Sequence, residues 1–315
     1  MSISSRRVVA AAFGGPESLT VEEVTLPDPG PREVHVVVRA SGVNPADVKA
    51  YRGPGDPSKL PVLLGFEAAG VVAATGEGAA DNEGALTVGD EVIVFRTRGA
   101  YSADLVVPDA TLTRKPPGLG WPEAAGLLLA GATAVHALEA TGVQEGDTVL
   151  VHGASGGVGL YAVQLARLRG ARVIATAGER NHDLLRELGA EPIGYGEGLL
   201  DRVRALAPDG VDAALDLVGT DEAMDVSLAL VDRDRIASIA NFARGPQEAI
   251  NLHAGGPGAD AGDELRAAAR PELARLAGTG QLRVLVAATY PLDDAADAHR
   301  QIATGHTTGK IALIP

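Results

Sequence analysis

The chain has 315 residues, of which 46% are hydrophobic and 22% charged, which is enough for two packed cores. Its 27 Lys+Arg against 41 Asp+Glu leave a formal charge of −14, and a chain so acidic repels phosphate backbones and anionic lipid surfaces. Cysteine is absent, which excludes disulfides, cysteine-ligated zinc, iron–sulfur clusters and thiol nucleophiles together.

The opening MSISSRRVVAAA is cut short by Phe13-Gly14-Gly15-Pro16, too early for a signal-peptide core. The weakly polar stretch Ala124 to Val135 carries Thr133 and is too short to span a bilayer. A cytoplasmic location is therefore expected.

The first part reads as β-structure. Arg7 to Phe13, Thr20 to Leu26 and Glu33 to Ala40 are strand candidates, the last with Val34, Val36 and Val38 on one face. Pro27, Pro29, Gly30 and Pro31 turn the chain between the last two. Glu67 to Ala74, Asp90 to Phe95 and Ser102 to Val107 follow, a spacing that predicts a small barrel-like domain. The period then changes. Trp121 to Glu139 reads as one helix with Pro122 in its first turn, and Thr148 to His152 as a short apolar strand. Gly156 to Arg169 reads as an apolar-faced helix, Arg172 to Ala177 as a strand, and Asn181 to Leu188 as a helix closed by Gly189. Strands at Val211 to Val218, Arg235 to Ala240 and Ala249 to His253, with a helix over Asp221 to Val231, complete an alternation that predicts a parallel sheet with helices on both faces. The tail reads as helix, strand, helix and strand over Asp263 to Leu276, Leu282 to Tyr290, Leu292 to Ala303 and Lys310 to Ile314, and does not obviously join that sheet. Gly255 to Gly262 (GGPGADAG) reads as a flexible acidic loop where the chain crosses between domains.

The strongest motif is His152-Gly153-Ala154-Ser155-Gly156-Gly157-Val158-Gly159, placed directly after a strand and opening a helix. Set against G-x-G-x-x-G, Ala154 stands at the first glycine, Gly156 at the second and Gly159 at the third. Gly156 lets a pyrophosphate approach the backbone, Gly159 lets the helix pack on the strand, and the helix N-terminus offers free N–H groups and its positive dipole end. This predicts a dinucleotide site. NAD-binding chains usually end the second strand with Asp or Glu; here Ala177 stands there, and Arg180 follows where a guanidinium can clamp a 2′-phosphate. That favours NADPH, although Glu179 could bind ribose and Arg180 could be a solvated first-turn residue.

The segments VVAAAFGGPESLTVEEVTLPDPGPREVHVVVRASGVNPADVKAYRG, PVLLGFEAAGVV, VGDEVIVF, LLLAGATAVHAL, VHGASGGVGLYAVQLARLRGARVIATA and YPLDDAADAHRQIATGHTTGKIAL resemble, in order and over nearly the whole chain, the medium-chain dehydrogenase/reductase superfamily and its zinc-independent quinone oxidoreductase branch. The resemblance implies an α/β protein in which a Rossmann-type doubly wound parallel sheet, residues 123–256, is inserted into a GroES-like β-rich catalytic domain, residues 1–122 and 257–315. Zinc-bearing relatives carry a ligand cysteine near Asn44 and Gly-His-Glu where this chain has Gly65-Phe66-Glu67. Glu67 alone cannot hold catalytic zinc, and the seven histidines show no paired metal spacing, so no metal is expected.

Within the resemblance, Lys49 would donate to a carbonyl oxygen or order the nicotinamide ribose. Asn44 would be a second polar contact, Asp47 would orient Lys49, and Tyr51 would be an alternative acid. The same residues also read as a solvated helical turn with Asn44 as its cap. Thr133 matches a threonine beside the nicotinamide, with a helix-interior threonine as the other reading. Val218 and Asn241 lie at C-terminal strand ends, where open α/β sheets bind ligands, and Asn241 reads equally as a turn residue. Tyr195 resembles a tyrosine near the 2′-phosphate. Cofactor contacts are thus expected from Thr133, Ser155, Gly156, Gly157, Val158, Gly159, Arg180, Tyr195, Val218 and Asn241. The implied activity is NADPH-dependent hydride transfer to an α,β-unsaturated carbonyl or quinone in a cleft between the domains. A member of the same fold with non-redox chemistry or a non-catalytic sensing role is the alternative. Few aromatic residues favour an enone over a flat quinone. The strand Ala249 to His253 is a candidate sheet edge, so a homodimer is expected.

Overall fold

In the long strand Glu33–Val43, Val34, Val36 and Val38 turn one face inward with at most 3% exposure each. The computed structural model describes residues 2–81, 83–253 and 260–315. That strand pairs antiparallel with Glu67–Thr75 and with Asp104–Pro108, and Glu67–Thr75 pairs in turn with Glu91–Phe95. Their apolar faces close around Val34, Val36, Ala68, Val72, Val92 and Val94. The tail joins this sheet: Lys310–Ile314 runs antiparallel to Glu33–Val43, with Ile311 opposite Val43, and Val286–Pro291 lies parallel beside it. A smaller sheet orders Leu19–Leu26, Ile3–Ala10 and Val62–Leu63.

The chain divides into two compact units, Met1–Leu129 with Arg270–Pro315, and Ala130–Ala269. The first division therefore falls after Leu129 rather than after Pro122. The reason is local: the helix Trp121–Ala125 packs on the first unit's strands, its Ala125 carbonyl lying against Gly42. The second falls at Arg270, whose guanidinium donates to the Ala110 carbonyl of the first unit at 2.9 Å. The expected crossing at 256/257, and most of the loop Gly255 to Gly262, lie outside the described residues.

Among the described residues the second unit holds six strands, all parallel, in the order Glu191–Ile193, Arg172–Thr176, Thr148–His152, Ala213–Asp216, Ile236–Ser238, Asn251–Leu252. Counted in chain order this is 3-2-1-4-5-6, the doubly wound arrangement whose order reverses beside the first strand. Leu150, Ile174, Ala214 and Ile236 face one core with Met224 and Val203 from the helices Asp221–Leu230 and Leu199–Leu206.

Several elements differ from expectation. The single helix over Trp121 to Glu139 is two, Trp121–Ala125 and Leu128–Ala140, broken at Gly126-Leu127. Glycine is a poor helix former, and a side chain at 126 would press on the Lys310 stem. The elements Glu191–Ile193 and Leu199–Leu206 are too short, at three and eight residues, to stand out in the sequence. The later strands are shorter than their apolar runs because parallel pairing ends where Asp216 and Ser238 turn the chain. Among the described residues no helix is long and apolar enough to cross a membrane.

Leu150 is fully buried at the centre of the parallel sheet. Leu150→Ala is expected to cost about 2–5 kcal/mol, read from urea unfolding.

Candidate functional site

The glycine loop leaves the sheet at His152. Gly153 takes φ +71°, a left-handed conformation that turns the chain away from the strand. Gly156 is extended and caps the helix Gly157–Leu168 with no side chain, so none of its own atoms answers the first-turn amides. A Cβ on Gly156 would meet only the Gly153 carbonyl, at 3.3 Å, so the loop stays open on that side. A Cβ on Gly159 would collide with the Gly153 carbonyl and lie 2.7 Å from Ala154 Cα, so glycine is required for the helix to sit this close to the strand. Ser155, Gly157 and Val158 are half-buried along the same loop.

Across the switch in strand order, the buried Asp216 carboxylate accepts from Gly219 N–H at 2.7 Å, Val218 N–H at 3.2 Å and Ser238 Oγ–H at 2.8 Å. This holds Val218 half exposed, packed 3.2 Å from where a Gly153 Cβ would stand. Asn241 is buried, and its side-chain oxygen accepts from Arg244 N–H at 3.2 Å, so that atom is used by the turn. Thr133 is buried in the helix Leu128–Ala140.

The second strand ends at the buried, uncharged Ala177, followed by the turn Glu179–Asn181. Glu179 and Arg180 are exposed there. Tyr195 is 62% exposed, and its hydroxyl stands 3.9 Å from where a Gly178 Cβ would sit. The residues expected at a 2′-phosphate thus gather at one strand end, with an arginine and a tyrosine in reach of solvent.

In the first unit the candidate segment forms the helix Pro45–Tyr51. Only Lys49 of the four expected catalytic residues is exposed. Asp47 is fully buried and does not orient Lys49: it accepts from Asn44 N–H at 2.8 Å and Gly65 N–H at 3.0 Å and bonds Tyr101. Burial pushes its carboxyl up to about 7. Tyr51 is not a free acid; it is 1% exposed, shares a 2.8 Å bond with His299 Nδ1, and burial pushes its hydroxyl up to about 12. Tyr101 takes His299 Nε2 at 3.0 Å from the other side.

Asn44 is also turned inward. Its side-chain oxygen accepts from Lys310 Nζ at 2.5 Å, and its amide donates to Glu67 Oε1 at 3.0 Å. Lys310 pairs with Glu67 Oε1 at 3.0 Å, and Glu67 Oε2 accepts from Leu129 N–H, at the start of the broken helix, at 2.8 Å. All three residues are at most 4% exposed. Sequence reading noticed Glu67 and missed Lys310 and His299. The available signal was a lysine opening the otherwise apolar strand KIALI. His136 and His253, far apart in sequence and read as singles, meet in the second unit with ring centres 4.3 Å apart.

Breaking a buried ion pair strands the remaining charge. Lys310→Met is expected to cost about 3–5 kcal/mol in urea unfolding, and adding Glu67→Leu to regain part of it. Burial also holds His299 down at about 4 against the ordinary 6.5. Between those values the unfolded chain takes a proton that the folded chain refuses, so this contribution is present above pH 6.5 and lost as pH falls through about 4. Asp47 acts oppositely, its contribution being lost as pH rises through about 7. His299→Gln should therefore flatten the acid loss of unfolding free energy by at most about 1.4 kcal/mol per pH unit, measured by urea midpoints across that window.

Residues 30–117 match the alcohol dehydrogenase GroES-like domain, and residues 188–313 match the zinc-binding dehydrogenase family. A quinone oxidoreductase of Pseudomonas aeruginosa is 35% identical over 99% of this chain and 100% of its own length. The rat synaptic vesicle membrane protein VAT-1 homolog is 32% identical over 98% of this chain and 84% of its own. The Escherichia coli quinone oxidoreductase, solved in complex with NADPH, superposes with a TM-score of 0.85 at 29% identity over 98% of this chain and 100% of its own. With the split β-rich unit and the doubly wound sheet, these likenesses fix the family: the chain belongs to the medium-chain dehydrogenase/reductase superfamily of oxidoreductases.

Proposed function

We propose that this chain is an NADPH-dependent reductase that delivers hydride to an α,β-unsaturated carbonyl or a quinone without a catalytic zinc ion. The observation that carries the reading is the pairing of an open glycine loop with the strand end Ala177-Gly178-Glu179-Arg180. The loop's helix amides suit a pyrophosphate. The strand end has an uncharged residue where NAD-binding chains place a carboxylate, and an exposed Arg180 and a Tyr195 hydroxyl beside Gly178 suit a 2′-phosphate. These residues fit the dinucleotide, which when bound supplies the hydride.

The acceptor's carbonyl oxygen gathers negative charge as the double bond is reduced. Lys49, the exposed ammonium of the expected set, stabilises that charge, and Asn44, Asp47 and Tyr51 hold its helix in place. Catalytic zinc has no ligand set here: Asn44 and Phe66 stand where zinc-bearing relatives have cysteine and histidine, and Glu67 is engaged by Lys310. The scarcity of aromatic side chains, with four Phe, one Trp and five Tyr, favours enones over extended quinones. We expect a cytoplasmic homodimer, checked by light scattering.

Spectrophotometric NADPH consumption against a panel of enones and quinones tests the reading. Turnover with at least one class is expected; NADPH binding with no acceptor oxidising it would leave a sensing or non-redox protein instead. Arg180→Ala should raise KM for NADPH about 10- to 100-fold and leave NADH nearly unchanged, and equal losses would remove the phosphate assignment. Lys49→Ala should lower kcat by about 100-fold or more.

A further inference from the structure

The second unit contains a cluster that the dinucleotide site does not use. His136 lies on the helix Leu128–Ala140, and His253 follows the edge strand Asn251–Leu252. Asp260 is set beside His253 by backbone pairing, with Asp260 N–H donating to the Leu252 carbonyl at 2.9 Å. One ring nitrogen from each histidine and one carboxylate oxygen all lie within 4.8 Å of one another. His136 Nε2 is 3.1 Å from Asp260 Oδ2, while Asp260 Oδ1 accepts from Gly262 N–H at 2.9 Å. Gly262, at φ +58°, turns the chain under the His136 ring, where a Cβ would overlap it.

His253 is the residue that points to a ligand. It is 5% exposed, and among the described residues neither of its ring nitrogens has a hydrogen-bond partner. A buried polar ring with both nitrogens idle is costly unless something else uses them. We propose that His136, His253 and Asp260 bind one divalent transition-metal ion of the zinc class. Two imidazole nitrogens and one carboxylate oxygen suit such an ion, with water completing its shell. Metal–ligand bonds of about 2.0–2.2 Å set ligand atoms roughly 3.4 Å apart, so the site needs only a small closure. Asp260, 65% exposed at its side chain, is the ligand with the most room to adjust.

Arg266 is the built-in competitor. Its Nε donates to His136 Nδ1 at 3.3 Å, so the neutral ring carries its proton on Nε2 and shares it with Asp260. A metal at Nε2 takes that place: the ring proton moves to Nδ1 and the Arg266 guanidinium turns aside. The ion would tie the helix, the edge strand and the following loop together at one point. This site shares no residue with the lost catalytic-zinc positions at Asn44 and Phe66.

The test titrates untagged, chelator-treated full-length protein with Zn2+ by calorimetry and with Co2+ by visible absorption. One ion per chain is expected, with a Co2+ ligand-field band and a raised thermal midpoint. His253→Ala and His136→Ala should each weaken binding about 100-fold, and Arg266→Gln should tighten it several-fold. Asp260→Ala, on an exposed side chain, guards against a variant that fails to fold and should weaken binding about tenfold. Absence of saturable binding by the wild type, or affinities unchanged in Asp260→Ala and in folded His253→Ala, would overturn the site.

Discussion

A lysine ammonium and a glutamate carboxylate buried together organise the first unit. Neither charge tolerates removal from water alone, so each must meet the other and satisfy its remaining hydrogen bonds. Lys310 does this with Glu67 and the Asn44 side chain, and Glu67 turns its second oxygen to Leu129 N–H. One cluster thereby joins the first long strand, its neighbour, the start of a helix and a tail strand 266 residues from Asn44. The same cluster has a chemical consequence. A fixed cation pairs with Glu67, and the Asn44 side chain accepts from that cation and donates to Glu67, which supports the proposed zinc-free reading.

The second unit meets the reverse requirement. In a chain of net charge −14, an anionic cofactor must find positive potential locally. On the proposed reading the helix Gly157–Leu168 provides it, its first turn unanswered by any cap side chain. Gly156 keeps the approach open and Gly159 keeps the helix close to the strand. Asp216 contributes at one remove: it gathers the amides of Val218 and Gly219 and fixes the neighbouring strand end.

The glycine loop was legible in sequence because its chemistry is local: strand, turn and helix follow one another within a dozen residues, and each glycine's role depends on near neighbours. Strand Lys310–Ile314 was equally clear as a strand, yet its partner was not, since antiparallel pairing with Glu33–Val43 joins opposite ends of the chain. The segment Asn44 to Tyr51 was the least legible. Asn44, Asp47 and Tyr51 are all chemically competent residues, and only burial shows that they serve the framework. Asp47 answers two backbone amides, Tyr51 bonds His299, and Lys49 is the exposed member of the segment. Residue type announces chemical capacity, while packing decides whether that capacity faces a substrate or another part of the protein.

The histidines sharpen this distinction. Burial lowers the proton affinity of His152, His253 and His299 alike, to about 4 in each case, so titration does not separate them. Their partners do. His299 has a tyrosine on each nitrogen, which completes its bonding and makes it a framework residue. His152 has a threonine hydroxyl at 3.5 Å from one nitrogen and apolar strands around it. His253 has neither, and it faces a second imidazole that an arginine and a carboxylate already hold in one orientation. Both nitrogens of His136 are engaged, while neither nitrogen of His253 has a hydrogen-bond partner among the described residues. A carboxylate at the same point supplies the negative charge that makes a cation the better occupant.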